Sequence, residues 1–434
     1  MERIWTTELA ARAGETVLLK GWLHRLRRLS HVSFLVLRDG KGTAQIVVDE
    51  PALAAELAAL PAESALAVVG EAVAEPQAPG GVELRRPRVE VVSRAAAPPP
   101  FDLFRPALKA ALPTVLEHAP VALRHPRNRA FFRMAAAAMA GFRAALGAEG
   151  FTEIQTPKLV GSATEGGANV FRLDYFGRPA YLSQSPQLYK QIMVGVFERV
   201  FEVGPAFRAE PHDTPRHINA FVSLDVEQGF IADHRDVMAT LTLALRAIVQ
   251  SIAESLSPAE LALTGARMPE VPAEIPAIHF VEALELLGGL AGEDLRAETD
   301  LAPAHERLLG EWARERHGSD FLFVTGYPTA QRAFYTAPDP ARPGSSNAFD
   351  LLFRGVELVS GGQRLHRYED YLAALAARGM SAESFAGYLE AFRHGMPPHG
   401  GFAIGLERLV MRLCELPNIR EATLFPRDLT RLTP

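Results

Sequence analysis

Cysteine is nearly absent from this chain: Cys414 is the only one in 434 residues. A disulfide or a cysteine-based zinc site within one chain is thereby excluded, and Cys414, set among Val410, Leu413 and Leu416, reads as a small core residue. Long apolar runs of membrane-spanning length are also missing. The first residues, Met1 to Ala13, carry Glu2, Arg3, Glu8 and Arg12 where a signal peptide would have an apolar core. The expectation is a cytoplasmic protein with no membrane partner. Basic residues are not in excess either; the formal net charge is −6, so any nucleic-acid contact must come from a local patch. No internal repeat or low-complexity tract appears beyond alanine-rich helices. What remains is an ordinary globular composition, 48% hydrophobic and 22% charged, in a chain long enough for two or three domains.

Residues 15 to 95 break into short strand-like runs, ETVLLKGWLHRL, SFLVLRDGKGTAQIVV, SALAVVGEAVA and GVELRRPRVEVVS. Splitting the second at Asp39-Gly40 gives five strands, with a helix over Leu53 to Leu60 between the third and fourth. That order predicts an OB-fold barrel, a common oligonucleotide-binding module. Between Lys20 and Lys41 stand Lys20, Arg25, Arg27, Arg28, Arg38 and Lys41 against the single acid Asp39, with Phe34 among them. Basic groups with an interleaved aromatic suit a single strand, through phosphate contact and base stacking; a core Phe34 on a solvated charged face is the competing reading.

AAAPPP (Ala95 to Pro100) and the proline-spotted stretch to Pro113 read as a linker. A larger domain follows. Arg127 to Gly150 has a helical apolar face through Phe131, Ala138, Phe142 and Leu146, and Phe151 to Thr156 alternates as a strand up to Pro157. ATEGGANVF is a glycine-bearing loop in which Glu165 could close over a ligand, and YLSQSPQLYKQIM is a strand entering a helix with Gln187 and Lys190. Asp236 to Leu256 is a long amphipathic helix, Pro258 to Pro276 a proline-rich excursion, and the region to Gly318 peripheral helical structure.

The run Phe201 to Phe230 predicts a hairpin whose loop holds Arg208, Glu210, His212, Arg216 and His217, with Phe221 on the return strand. Guanidinium forks grip phosphate and a phenyl face stacks on a base, so this loop suits a nucleotide. A second hairpin spans Asn347 to Asp370. With Arg354-Gly355 as a two-residue turn, Leu352 faces Glu357 and Asp350 faces Val359, so Asp350 and Glu357 project from one sheet face, where they would hold Mg²⁺. Ser360 could join them only through a bulge near Gly361-Gly362. Finally, GGFAIGLERLVMRLC is a strand entering a helix through Gly405, which sets Arg408 in the first turns.

Three of these stretches resemble the signature motifs of class II aminoacyl-tRNA synthetases: FTEIQTP the first, FRAE with RHINAF the second, GLERL the third. ATEGGANVF, QSPQLYKQ, FDLLFRGVELVSGGQR, GMPPHGGFAIGLERL and LFPRDLTRLTP resemble the aspartyl-tRNA synthetase family in particular, and the likeness runs over essentially the whole chain. The compact length is similar to the archaeal and eukaryotic form. The resemblance implies an α+β protein: an N-terminal OB-fold β-barrel for the anticodon (1–97), a hinge (98–117) and a class II catalytic domain, an antiparallel sheet flanked by helices (118–434), with peripheral helices at about 232–318. It also implies a homodimer through the first motif.

Residue by residue, the resemblance implies that Arg208 binds the substrate α-carboxylate and the ATP α-phosphate. Glu210, Arg216, His217 and Ile218 would contact ATP, Phe221 would stack on adenine, and Gly405, Leu406, Glu407 and Arg408 would complete the nucleotide site, Arg408 on the γ-phosphate. Glu357, Ser360 and Asp350 would place Mg²⁺. Glu165 would receive the aspartate ammonium, Gln187 and Ser360 would line its pocket, and Lys190 with Arg364 would bind its side-chain carboxylate. An asparagine amide would then leave two buried cations uncompensated, a mismatch of at least roughly several kcal/mol. In the barrel, Phe34, Gln45 and Arg27 match anticodon-contacting positions. The loop Glu75 to Leu84 resembles that of archaeal-type enzymes charging both tRNA(Asp) and tRNA(Asn), with His31 and Pro79 as the positions of interest. The family usually has an acid where this chain has Ala220, and Pro211 and Pro215 stiffen the loop. An asparaginyl-tRNA synthetase is the competing enzyme, disfavoured by Lys190; a non-catalytic tRNA-binding paralogue would be expected to lack Arg208 or Arg408.

Overall fold

Alternation of apolar and polar side chains along Thr16–Arg28, Ser33–Arg38, Thr43–Val48, Ala65–Ala74 and Val82–Ser93 builds a barrel, with Leu19, Leu35, Leu37, Ile46, Val68 and Leu84 turned inward. Its strands pair in that order except that Val82–Ser93 lies between Thr43–Val48 and Ala65–Ala74, and the last of these returns to Thr16–Arg28, which closes the ring. The helix Pro51–Ala58 stands between the third and fourth strands, as an OB-fold requires.

The computed structural model describes residues 1–161 and 169–433, and the chain divides into two compact units, Met1–Pro126 and Arg127–Pro434. The stretch expected as a linker and hinge, 98–117, belongs to the first unit. The Arg25 guanidinium lies 4.3 Å from the centre of the Phe104 ring, and His125 Nε2 bonds Arg105 O at 2.8 Å, so the hinge is tied to the barrel side of the boundary.

The second unit is built on an eight-stranded sheet in the order Ala277–His279, Phe321–Thr325, Ala348–Phe353, Glu357–Gln363, His399–Gly405, Ala220–Gly229, Arg199–Phe207, Thr152–Glu153. The inner pairings are antiparallel, as expected, and the short strand at each edge pairs parallel. Helices Pro126–Ala148 and His234–Ser255 cover one face. They approach so closely that a Cβ on Gly141 would lie 2.5 Å from Ala247 O, and Ser251 Oγ donates to Ala137 O at 2.8 Å. His234–Ser255 has the length and composition of a membrane-crossing helix, but Val237, Leu241, Leu245, Ile248 and Ile252 bury its apolar face in the core.

Three expectations are corrected. Of Phe151 to Thr156 only Thr152–Glu153 is strand, with one further bond to the sheet from Ile154 N to Phe201 O at 2.9 Å; beyond it Thr156 satisfies its backbone N–H and its hydroxyl on Glu202 at 3.3 and 2.7 Å instead of on the ladder. The excursion after Pro258 opens as a helix, Pro258–Thr264, because Ser257 and Glu260 form a capping box around Pro258. The region 232–318 is not all peripheral: its first helix is a core element and Ala277–His279 extends the sheet, while Phe280–Ala291 and Pro303–His317 pack on Phe321–Thr325 around Leu287, Leu309 and Val324.

Candidate active site

Along Ala220–Gly229 the side chains Phe221, Ser223, Asp225 and Glu227 share one face of the sheet, while Leu224 and Val226 enter the core on the other. Across the ladder from Ser223, Asp225 and Glu227 stand Gly405, Ala403 and Gly401. Small residues there leave a floor; a Cβ on Gly401 would come within 2.0 Å of Val226 O and 2.2 Å of Glu227 Oε2.

The neighbouring hairpin turns as expected at Arg354-Gly355. Both have positive φ, +49° and +70°, and Phe353 and Val356 exchange backbone hydrogen bonds at 2.8 and 3.2 Å. Leu352 pairs with Glu357, but a register shift follows at once, so Asp350 faces Ser360 rather than Val359. The bulge therefore sits beside Leu358 and not near Gly361-Gly362. One extra residue there brings Ser360 to the face that carries Asp350 and Glu357.

A pocket above this floor gathers Arg208, Glu210, Arg216, His217, Ile218 and Phe221 from the first hairpin. Glu357 and Ser360 enter it from the second, and Gly405, Glu407 and Arg408 from the strand-to-helix turn. Leu406 is core. Arg208 is exposed, lies 5.4 Å from the centre of the Phe221 ring, and makes no ion pair among the described residues. Arg408 donates to Glu357 O at 3.0 Å, with the Glu357 carboxylate 3.9 Å away. Burial, reinforced by the Arg408, Arg216 and His212 charges, holds His217 below its ordinary pKa, and Thr214 Oγ1 lies 2.6 Å from its Nδ1. Glu165 lies outside the described residues.

The loop at 208–219 is anchored from the C-terminal segment. Arg420, itself buried, donates to Asp213 at 2.6 Å, Thr214 O at 3.1 Å and Asp428 at 2.7 Å. Ile419 N donates to Pro215 O, and Asn219 N to Arg427 O. Pro211 and Pro215 thus stand in a loop held by a partner segment, which the sequence reading did not identify.

Glu407 is turned inward: both its carboxylate oxygens accept from Val222 N at 3.1 Å, and burial pushes its pKa up to about 7. Its folded pKa lies above the ordinary carboxyl value, so the stability it confers is complete below about pH 4.5 and is lost as pH rises through 7. Thermal or urea unfolding of the natural chain and of Glu407→Gln should show the natural chain losing about 3 kcal/mol relative to the variant between pH 4.5 and 8. Parallel pH profiles would refute the assignment.

Farther along the same face, over Asp225 and Glu227, lie the remaining candidates. Lys190, 2% exposed, donates to Asp225 Oδ1 at 3.0 Å, Val226 O at 3.2 Å and Phe402 O at 3.2 Å, with Glu227 Oε2 at 3.3 Å. Arg364 Nε donates to Glu227 Oε1 at 3.0 Å and Nη2 to Gly401 O at 2.9 Å, reaching Gln187 Oε1 at 3.4 Å. Burial opposes the charged form of Glu227, but Arg364 and Lys190 outweigh it and hold its carboxyl below the usual range. The expectation of two uncompensated cations is therefore corrected: each already has a carboxylate. Gln187 continues through Gln191 to Tyr371, Tyr388 and His399, a buried network that also escaped the sequence reading. His399 Nδ1 donates to Pro397 O at 2.9 Å, so Nε2 accepts from Gln191; burial lowers its pKa and keeps the ring neutral.

The metal candidates divide. Partial burial in the pocket, then the Asp350 charge, pushes the Glu357 carboxyl up to about 7 against the opposing charge of Arg408; its side chain lines the pocket, is still 41% exposed and is open to a cation. Asp350 and Ser360 are engaged by Arg332, a residue absent from the sequence-based set. Gln184 was also missed; it lines the pocket, and its buried Oε1 has no hydrogen-bond partner among the described residues.

In the first unit, Arg27 pairs across the strands with Phe34, its guanidinium 5.2 Å from the ring centre, and donates to Gln45 Oε1; Gln45 Nε2 in turn donates to Glu83 at 3.0 Å. Phe34 is half-buried on the outer barrel face, not in the core. Arg38 does not belong to the basic face: it is buried and paired with Glu63. His31 is exposed at the turn before Ser33–Arg38, and Pro79 opens a one-turn helix before Val82–Ser93.

Residues 112–429 match the family of class II tRNA synthetases (D, K and N), and residues 17–92 match the OB-fold nucleic acid binding domain. The chain is 49% identical to an aspartate–tRNA(Asp/Asn) ligase of Thermus thermophilus, over 100% of both proteins. A protein of the same name from Aeropyrum pernix is 43% identical over 97% of this chain and 96% of its own. Among solved structures, asparaginyl-tRNA synthetase of Pyrococcus horikoshii complexed with asparaginyl-adenylate superposes with a TM-score of 0.90 at 30% identity over the whole of both chains.

Proposed function

The chain belongs to the class II tRNA synthetases (D, K and N), and from that premise we propose that it is an aspartate–tRNA ligase that forms aspartyl-adenylate from L-aspartate and ATP and transfers the aspartyl group to tRNA(Asp) and to tRNA(Asn). The carrying observation is the pocket that joins the exposed Arg208, the Phe221 ring, Glu357 and Arg408 above a floor of small residues. Adenylate formation sets the aspartate α-carboxylate against the α-phosphate, so two anions must be brought together in line; fixed cations and positioning matter more than acid or base groups. In this reading Arg208 touches both reacting groups, Phe221 stacks on adenine, Arg408 holds the γ-phosphate, and Glu210, Arg216, His217 and Ile218 frame the nucleotide.

Glu165 and Gln184 receive the substrate ammonium, the latter through its unpartnered Oε1. Gln187, Lys190 and Arg364 set the end of the pocket that meets the aspartate side chain. Glu357 is the residue that fits Mg²⁺, which when bound draws charge from phosphate oxygens. Self-association through residues 126–157 and a cytoplasmic location complete the proposal.

The asparaginyl alternative has one observation in its favour: Lys190 and Arg364 are already paired with Asp225 and Glu227, so these two residues carry no excess positive charge without substrate. The 49% identity with an aspartate–tRNA(Asp/Asn) ligase over the full length favours aspartate. Aminoacylation of purified tRNA(Asp) and tRNA(Asn) tests the reading, with aspartate expected on both and asparagine on neither. The barrel's part is tested by Phe34→Ala. Loss of one base stack should cost about 1–3 kcal/mol in tRNA charging and leave aspartate-dependent pyrophosphate exchange unchanged; equal losses in both assays would overturn the division of labour.

A further inference from the structure

Gln191, one residue past Lys190, is fully buried, and its hydrogen bonds fix which way its amide faces. Tyr371 spends its only proton on Leu365 O at 2.8 Å, so towards Gln191, 3.0 Å away, it can only accept. The neutral His399 spends its Nδ1 proton on Pro397 O at 2.9 Å, so its Nε2 also accepts from Gln191, at 3.0 Å. Both acceptors require the Gln191 NH₂ group on their side. Its Oε1 is left to accept from the Tyr388 hydroxyl at 3.0 Å and from Gln187 Nε2 at 3.1 Å. Gln187 is set in turn, with its nitrogen at Gln191 and its Oε1 at Arg364 Nη2, 3.4 Å away. Turned over, it would bring oxygen against oxygen at Gln191 and N–H against N–H at Arg364. Two backbone carbonyls, Leu365 O and Pro397 O, therefore decide the orientation of a side chain that neither of them touches.

We propose that Gln191 and His399 are positioning residues for amino-acid selectivity: they hold Gln187 so that it offers the substrate side chain an N–H and not its oxygen. The inference rests on the reading of this site as an aspartate pocket. Gln187 Nε2 has two N–H groups; one is bonded to Gln191, and the second is the one left for a substrate oxygen. Aspartate has only acceptors on its side chain and needs that N–H. Asparagine has a donor and an acceptor and can meet either end of Gln187. A fixed Gln187 thus helps aspartate, and a Gln187 free to turn penalises aspartate alone. The relay is built of neutral groups, so it acts beside the ion pairs of Lys190 and Arg364 and can be removed without breaking them.

The test is aspartate-dependent ATP–pyrophosphate exchange with asparagine added as a competing inhibitor. Gln191→Met keeps the volume and removes the whole set of bonds. It should raise KM for aspartate about three- to tenfold, the worth of roughly one hydrogen bond, while KM for ATP and the inhibition constant of asparagine stay within about twofold. His399→Leu should do the same, and it decides the matter if Gln191→Met does not fold. His399→Gln, whose amide oxygen can stand in for Nε2, should restore the natural KM for aspartate. An unchanged aspartate KM in Gln191→Met or His399→Leu, equal weakening of aspartate and asparagine, or a His399→Gln variant as impaired as His399→Leu would each overturn the inference. Exchange by the natural chain separates the two levels. Its absence would sink the reading of the site, whereas exchange together with any of those three results would sink only the role of the relay.

Discussion

Arg208→Ala is expected to lower kcat/KM for aspartate-dependent ATP–pyrophosphate exchange by about a hundredfold to a thousandfold, the usual loss when one fixed donor is removed from developing charge. The guanidinium leaves the strand end at Phe207, beside the Phe221 ring, and has no ion pair among the described residues. It can therefore meet incoming anions without first breaking a bond to the protein. Since it is proposed to contact both the carboxylate and the α-phosphate, its loss should fall on the chemical step as well as on binding, so kcat should drop and not KM alone. Arg208→Lys should recover only part of the activity, because an ammonium supplies the charge without the planar fork. Exchange within a factor of about two of the natural chain would remove Arg208 from the mechanism.

Lys190→Met is expected to destabilise the protein by about 3–5 kcal/mol, measured by urea or thermal unfolding. Its ammonium lies between Asp225 and Glu227, 3.0 and 3.3 Å away, where water cannot replace it. With methionine in its place Glu227 would keep Arg364, but Asp225 would lose the cation bonded to it and keep only the Ser223 hydroxyl. The double variant Lys190→Met, Asp225→Asn should recover much of the loss, since it removes the orphaned charge as well. A loss below about 1 kcal/mol in the single variant would mean that the cluster is not formed in solution. On the proposed reading this network replaces the simpler account of selectivity: preference for aspartate comes from how the whole cluster of two cations and two carboxylates answers a third carboxylate.

Local pattern carried much of this fold. The barrel followed from strands of alternating polarity separated by glycine turns, and the Arg354-Gly355 hairpin from its two-residue turn. Most of the residues that gather in the candidate pocket were legible because they cluster in two short stretches, 208–221 and 405–408. What escaped depends on contacts between distant segments. The bulge at Leu358 is one unpaired residue in the strand ELVSGGQ, whose glycines, Gly361 and Gly362, lie past it and drew the expected bulge to the wrong place. Arg332 lies 18 residues before Asp350 in an irregular segment, and Arg420 about two hundred residues after the loop that it anchors. Asp225 and Glu227 did carry a signal: acids alternating with apolar residues in a strand with both faces covered require buried cations, and Lys190 and Arg364 were already singled out.

The central claim, that this pocket activates aspartate, is tested most directly by ATP–pyrophosphate exchange on the purified protein with aspartate or asparagine as the only amino acid. Exchange with aspartate and none with asparagine is the predicted result; exchange driven by asparagine and not by aspartate would contradict it.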